Sequence, residues 1–302
     1  MPEVKEGRLA IDEAGHEVFY KLFGQGAQTL VGLAGGPGCS HDYIAGLGEL
    51  AEGDLQVLLY DQLGTGKSDR PEDESLWRIE RFSQEVETLR TKLGLGRIHL
   101  YGHSWGGWLA QQYALDYPDG LKSLILAGTS ASIAEYLASA RRHLLSLPRH
   151  IQRTLLKYEA RQDWDNPEMA EAALPFYYTH IYRSTPFDPE RSLKEFNEIL
   201  GPVFADIGPQ YPVMWGPFEF VCTGNLIDWD VTDRLGEIKV PTLVVGGWYD
   251  AVDPECHRTL SEGIPETEYV LFGQSSHCIM AEKEAPLYFA VIKNFVKRAM
   301  AR

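Results

Sequence analysis

Cysteine is scarce and scattered in this 302-residue chain. Cys39, Cys222, Cys256 and Cys278 lie far apart with no CxxC spacing, which argues against a disulfide framework and a zinc knuckle. Long hydrophobic runs are missing too. No apolar stretch approaches the roughly 18 to 20 residues needed to span a bilayer, and the opening MPEVKEGRLA lacks the basic-then-apolar layout of a signal peptide. A soluble, cytoplasmic protein is the expectation. Positive charge is in deficit, with 28 Lys and Arg against 43 Asp and Glu for a formal net charge of −15. Such a chain repels phosphate backbones and anionic lipid, so neither nucleic acid nor a membrane is an expected partner. The 44% hydrophobic fraction is enough for a packed core and sets aside disordered and low-complexity readings.

Short apolar runs bounded by Gly, Pro or Asp recur at Thr29 to Ala34, Gln56 to Tyr60, Ile98 to Tyr101 and Leu121 to Ala127, the pattern of buried parallel strands. Ahead of them, Arg8 to Ile11 and Glu17 to Leu22 flank a turn, predicting an antiparallel hairpin. Phe82, Val86, Leu89 and Leu93 repeat at helical spacing, and Gly94 follows where a left-handed cap belongs. From 131 to 238 the strand-like runs vanish and the segment turns helical, rich in proline and aromatic residues, predicting an inserted cap. Strand patterns resume at Thr242 to Gly246 and Tyr269 to Phe272, and Leu287, Val291, Ile292, Phe295 and Val296 mark one face of a closing helix. The expectation is an α/β fold with a mostly parallel central sheet, its core split into 1–130 and 239–302 around a helical cap at 131–238.

GHSWGG at 102–107 stands directly after one predicted strand and before a helical stretch that Pro118 ends. That is the setting of a G-x-S-x-G nucleophile elbow, with Ser104 as nucleophile. A serine hydroxyl needs a base to take its proton, and the base needs a carboxylate to orient it. In the chain order of such folds, Asp250 and His277 are the candidates, each just past a later strand. His103 adjoins the serine, but consecutive residues on a sharp turn point apart, and it reads as a packing residue. Two backbone amides, of Gly36 in AGGPG and of Trp105 after the nucleophile, are the candidate oxyanion donors. GTGKS at 64–68 fails as a phosphate loop because Asp61 stands where that motif needs glycine. The adjacent Cys–His pairs at 256–257 and 277–278 lack metal-ligand spacing, so neither metal nor cofactor is expected.

Taken together, AGGPG at 34–38, YDQLGTGKSDRP at 60–71, GHSWGG, GPFEF at 216–220, WYD at 248–250 and SSH at 275–277 resemble the proline iminopeptidase family of α/β-hydrolases, over most of the chain. The resemblance implies a cofactor-free serine peptidase releasing an N-terminal residue, often proline, through an acyl-enzyme. Ser104, Asp250 and His277 match the family triad, and Gly36 and Trp105 its oxyanion donors. It also implies that Glu219 grips the substrate's α-ammonium group, with Trp215 and Phe218 expected to pack the substrate ring. Two positions depart from the pattern. Ala34 replaces the histidine that usually opens the glycine loop, and Ala251 replaces a second ammonium-binding glutamate, with Asp253 nearby in sequence. The expected substrate is accordingly a small peptide, or an amino-acid amide or ester. An esterase or lactonase on the same fold, and a noncatalytic binding module, are the alternative readings.

Overall fold

The computed structural model describes residues 2–302. The chain opens with the predicted hairpin, β1 (Val4–Ala10) and β2 (Glu17–Phe23), and continues through β3 (Gln28–Leu33), β4 (Leu55–Tyr60), β5 (Ile98–His103), β6 (Leu121–Ala127), β7 (Thr242–Gly247) and β8 (Thr267–Phe272). These eight strands form one sheet in the order β1-β2-β4-β3-β5-β6-β7-β8. The β1–β2 and β2–β4 pairs are antiparallel, and every pair from β4 to β8 is parallel. β3, β5, β6 and β7 are buried almost throughout. Parallel strands covered on both faces have no solvent side to fill with polar residues, and so they read as continuous apolar runs.

The helix α1 (Ile79–Lys92) packs on α2 (Trp105–Asp116), which lies against β5, β3 and β6. Gly94 closes α1 at φ +65°, as its position predicts. Between β6 and β7 the chain adds no strand to the sheet and runs instead through α3 (Ile133–Ser146), α4 (Arg149–Glu159), α5 (Pro167–Phe176), α6 (Pro189–Ile199), α7 (Gly201–Ala205) and α8 (Gln210–Met214). Prolines punctuate this stretch productively: Pro167 and Pro189 occupy the first turns of α5 and α6, just after the side-chain N-caps Asn166 and Asp188. After β7, α9 (Pro254–Gly263) packs on β7 and β8, and α10 (Ala285–Met300) closes the fold. One residue of the expected α10 face is displaced. Leu287 is 57% exposed, and Tyr288 lies buried in its place together with Ile292, Phe295 and Val296.

Parallel pairing puts the ends of the strands at a common edge. Leu33 pairs with Gly102, His103 with Ala127, Ala127 with Val245 and Gly247 with Phe272, so the loops that follow β3, β5, β6, β7 and β8 all leave from one side of the sheet. Open α/β sheets bind ligands at that carboxyl edge.

Candidate active site

Ser104 sits between β5 and α2 at φ 57°, ψ −124°, a conformation that costs a non-glycine residue about 1 to 3 kcal/mol. The surroundings hold it there. Its amide donates to Ala127 O at 2.9 Å, and its carbonyl accepts from the amides of Gly107 at 2.8 Å and Trp108 at 3.3 Å. The neighbouring glycines permit close approach: a Cβ on Gly102 would overlap the carbonyl of Gly106, and one on Gly106 would overlap the carbonyl of Leu33. The turn is thereby wedged between its own helix and the end of β3, with the Ser104 side chain left partly exposed.

Asp250 and His277, 27 residues apart, meet at 2.7 Å between Oδ1 and Nδ1, both buried. Burial disfavours charge on the imidazole, but the adjacent carboxylate and the hydrogen bond to it prevail and hold His277 above its usual pKa. Asp250, despite its own burial, stays below the ordinary carboxylate range because of His277. The same Oδ1 accepts from the Val252 amide at 2.9 Å. Gly128, at φ +51° after β6, leaves room for the pair: a Cβ there would stand 3.0 Å from both Asp250 Oδ2 and His277 Nδ1.

Glu219 faces the same cleft, 8% exposed, and is held by three tyrosine hydroxyls. Tyr211 donates to its Oε1 at 2.8 Å, Tyr136 donates to its carbonyl at 2.8 Å, and its amide donates to Tyr177 at 3.2 Å. Burial pushes its carboxyl pKa up, offset in part by Tyr211 and His277. The cleft comprises about 400 Å³ of unfilled space, part of it open to solvent, lined by Gly35, Gly36, Ser104, His277 and Glu219 with Ile181, Leu200, Val203 and Phe204 as an apolar wall. Among the described residues lining it, Glu219 is the only carboxylate and none is Lys or Arg.

The amides of Gly36 and Trp105 have no acceptor among the described residues, whereas that of Gly35 donates to Tyr43 Oη at 2.6 Å. Gly35 also lies close to the serine, since a Cβ on it would stand 3.1 Å from Ser104 Cβ. His103 is a packing residue with a definite task. Its Nε2 lies 3.0 Å from the carbonyl of His277, and its Nδ1 2.9 Å from Tyr43 Oη. A carbonyl only accepts, so Nε2 carries the proton and Nδ1 accepts from the tyrosine. Burial, reinforced by His277, lowers the His103 pKa to about 3, which keeps this relay neutral. It joins the glycine loop to the loop carrying His277.

The other expected contacts fall elsewhere. Trp215 is fully buried behind the cleft, its ring stacked 5.3 Å from Trp108 and edge-on 5.4 Å from Tyr136, with Nε1 donating to the Phe218 carbonyl. Phe218 stacks on Phe220 at 5.3 Å. Neither lines the cleft: Trp215 packs on Trp108 and Tyr136, Phe218 packs on Phe220, and the apolar lining comes from Ile181, Leu200, Val203 and Phe204 instead. Asp253 caps α9 through Oδ1 and pairs with Arg142 through Oδ2, so it does not stand in for a glutamate at Ala251. Glu282 was not anticipated. It is buried and accepts from the amides of Ser276 at 2.7 Å and Arg183 at 2.8 Å and from the Ser276 hydroxyl, fastening the loop just before His277. A glutamate five residues after a loop histidine carries no sequence signal for that role.

A sequence profile of the α/β-hydrolase fold matches residues 28–284. Over 298 residues the chain is 39% identical to a proline iminopeptidase of Saccharolobus solfataricus, covering 97% of this chain and 92% of that protein. Among solved structures, VinJ superposes with a TM-score of 0.88 at 31% identity, covering 99% of this chain and 100% of that one. The proline iminopeptidase of Mycobacterium smegmatis superposes at 0.83 and 28% identity, with 98% of each chain covered. With the ordered strand-end loops and the Asp–His pair as the physical counterpart of these matches, the chain belongs to the proline iminopeptidase family of α/β-hydrolases.

Proposed function

We propose that the protein is a serine hydrolase of the prolyl aminopeptidase type, cleaving the bond after a free N-terminal residue of a small peptide, with proline preferred. His277 takes the Ser104 proton, Oγ attacks the acyl carbon, and the amides of Gly36 and Trp105 receive the developing oxyanion. Protonated His277 then gives its proton to the leaving amine, and water resolves the acyl-enzyme with the same histidine as base. Asp250 fixes the imidazole tautomer throughout. Glu219 pairs with the α-ammonium group, which an internal peptide bond does not have. The segment 131–238 acts as a cap that supplies Glu219 and the apolar wall. One observation carries this reading: Ser104, His277 and an otherwise uncompensated carboxylate share a single cleft.

The buried Ala251 favours a second, closely related activity on amino-acid amides or esters. Its amide and carbonyl are both engaged, with His180 O and Ser139 Oγ, and it offers no second anion to the ammonium group. A panel of proline, alanine and N-acylated p-nitroanilides and esters, run with wild type and Ser104→Ala, tests both. Turnover of the free-amine substrates that disappears in the alanine variant, with the melting temperature kept, is expected. Undiminished turnover by Ser104→Ala would remove the serine mechanism.

A further inference from the structure

The stretch 60–71 takes no part in the chemistry above, yet Gln62 within it is 1% exposed and hydrogen-bonds both to the glycine loop and to Trp105. Its Nε2 donates to the carbonyl of Ala34 at 3.2 Å, and its Oε1 accepts from Trp105 Nε1 at 2.9 Å. The orientation is unambiguous, because an indole N–H only donates and a carbonyl only accepts. One carboxamide therefore spans the loop that carries the Gly36 amide and the residue that carries the other. Next to it, Asp61 Oδ1 accepts from the His41 amide at 2.9 Å and lies 2.7 Å from His41 Nδ1. The glycine loop is thus pinned at both ends, at Ala34 and at His41, by consecutive residues following β4.

We propose that Gln62 is a positioning residue for the oxyanion site, a bridge that sets the Gly36 amide at a fixed place relative to the Trp105 amide. The inference rests on the reading of those two amides as oxyanion donors. An oxyanion site stabilises the transition state only when its donors aim at the place where charge develops, and a displacement of either removes that advantage without altering ground-state binding.

The test is Gln62→Met, which keeps the length of the side chain and loses both hydrogen bonds, together with Trp105→Phe, which cuts the same bridge from its other end and leaves the backbone amide in place. Two competitive ligands separate positioning from a merely structural role. Pyrrolidine-2-boronic acid reports on the oxyanion site, because Ser104 Oγ adds to boron as its proton passes to His277 and a boron-bound oxygen faces the donors. Pyrrolidine carries the ammonium and the ring but no oxygen. In Gln62→Met, kcat should fall about 10- to 100-fold on amide and ester substrates alike, somewhat less than deleting a donor outright. Boronate affinity should fall in step, with pyrrolidine affinity and KM within about twofold. Trp105→Phe should show the same pattern, and the double variant should lose no more than the larger single loss, since both cut one bridge. If Gln62→Met does not fold, Trp105→Phe alone decides. Equal weakening of both ligands, or an unchanged kcat in a folded variant, overturns the inference while the hydrolase reading stands. Wild-type inactivity on every substrate overturns that reading, and this inference with it.

Discussion

Replacing Glu219 with Gln keeps the shape of the clamp and removes its charge. The carboxylate is 8% exposed, its one side-chain partner is the neutral hydroxyl of Tyr211, and no Lys or Arg lines the cleft. Apart from His277, whose charge comes and goes with its proton, a substrate ammonium would therefore be the first full cation to meet it. Removing one member of a buried, hydrogen-bonded charge pair costs about 2 to 5 kcal/mol, or about 30- to 4000-fold in kcat/KM. Burial raises the Glu219 pKa, so part of the pairing energy goes into keeping the group ionised, and the lower part of that range, about 30- to 300-fold, is expected. The assay compares proline p-nitroanilide with its N-acetylated counterpart. The acetylated substrate should change by less than about threefold, because it has no ammonium to pair. The contrast should also fade as pH climbs past about 8, where an α-amino group of ordinary pKa loses its proton. Equal losses on the two substrates, or a contrast that persists when the amine is neutral, would refute the clamp.

Because catalysis needs neutral His277 and Asp250 holds its pKa up, kcat/KM should rise with pH through a limb above the usual histidine value of about 6.5. Asp250→Asn should shift that limb downward and lower kcat by about 10⁴-fold; a limb that stays in place would exclude His277 as the titrating base. Gly128→Ala should lower kcat with little change in KM, since the new methyl would press on both Asp250 Oδ2 and His277 Nδ1 at 3.0 Å; wild-type kinetics would show that the pair tolerates displacement. Burial raises the Glu282 pKa to about 7, so its contribution to stability is complete below the unfolded value near 4.5 and is lost as pH rises through about 7, a change on the order of 3 kcal/mol. Urea unfolding between pH 4 and 8 should show that slope in wild type and lose it in Glu282→Gln, and parallel curves would refute the assignment.

The strand ends were legible because buried parallel strands announce themselves as apolar runs, and the triad candidates because each stands just past such a run. Glycine and proline punctuation located the elbow for the same reason. What sequence reading missed lies in contacts between segments far apart in the chain. Nothing local distinguishes Gln62 from any polar residue in a turn, and its partners Ala34 and Trp105 are 28 and 43 residues away. Trp215 and Phe218 misled in the opposite direction. Aromatic residues beside a candidate ligand-binding glutamate suggest substrate contact, but a helical segment between two sheet strands must also pack onto the rest of the fold, and Trp215 stacking on Trp108 of α2 serves that end. Leu287 shows the same limit at one position: helical periodicity fixes a face to within a residue or so, and Tyr288 took the buried site.

The acid and base of the proposed triad are tied to the segment that covers them. The His180 carbonyl accepts from two amides, those of Ala251 and His277, each at 3.1 Å, and the Ile181 carbonyl accepts from Cys278 at 3.0 Å. Glu282 extends the seam to the Arg183 amide, and Ser139 on α3 links the Ala251 carbonyl to the Asp253 amide. Residues 180–183 are therefore joined by backbone hydrogen bonds to both loops that must meet at 2.7 Å for His277 to act. A lid that swung away as one body would break these bonds and misalign the pair just when substrate arrived, leaving buried amides without acceptors. Leu200, Val203 and Phe204 line the same cleft and take no part in that seam, so their displacement would leave those hydrogen bonds intact. Residues 180–183 and the Asp250–His277 pair are thus one connected unit: the segment that contributes Ile181 to the cleft also ties down the loops that carry the carboxylate and the imidazole.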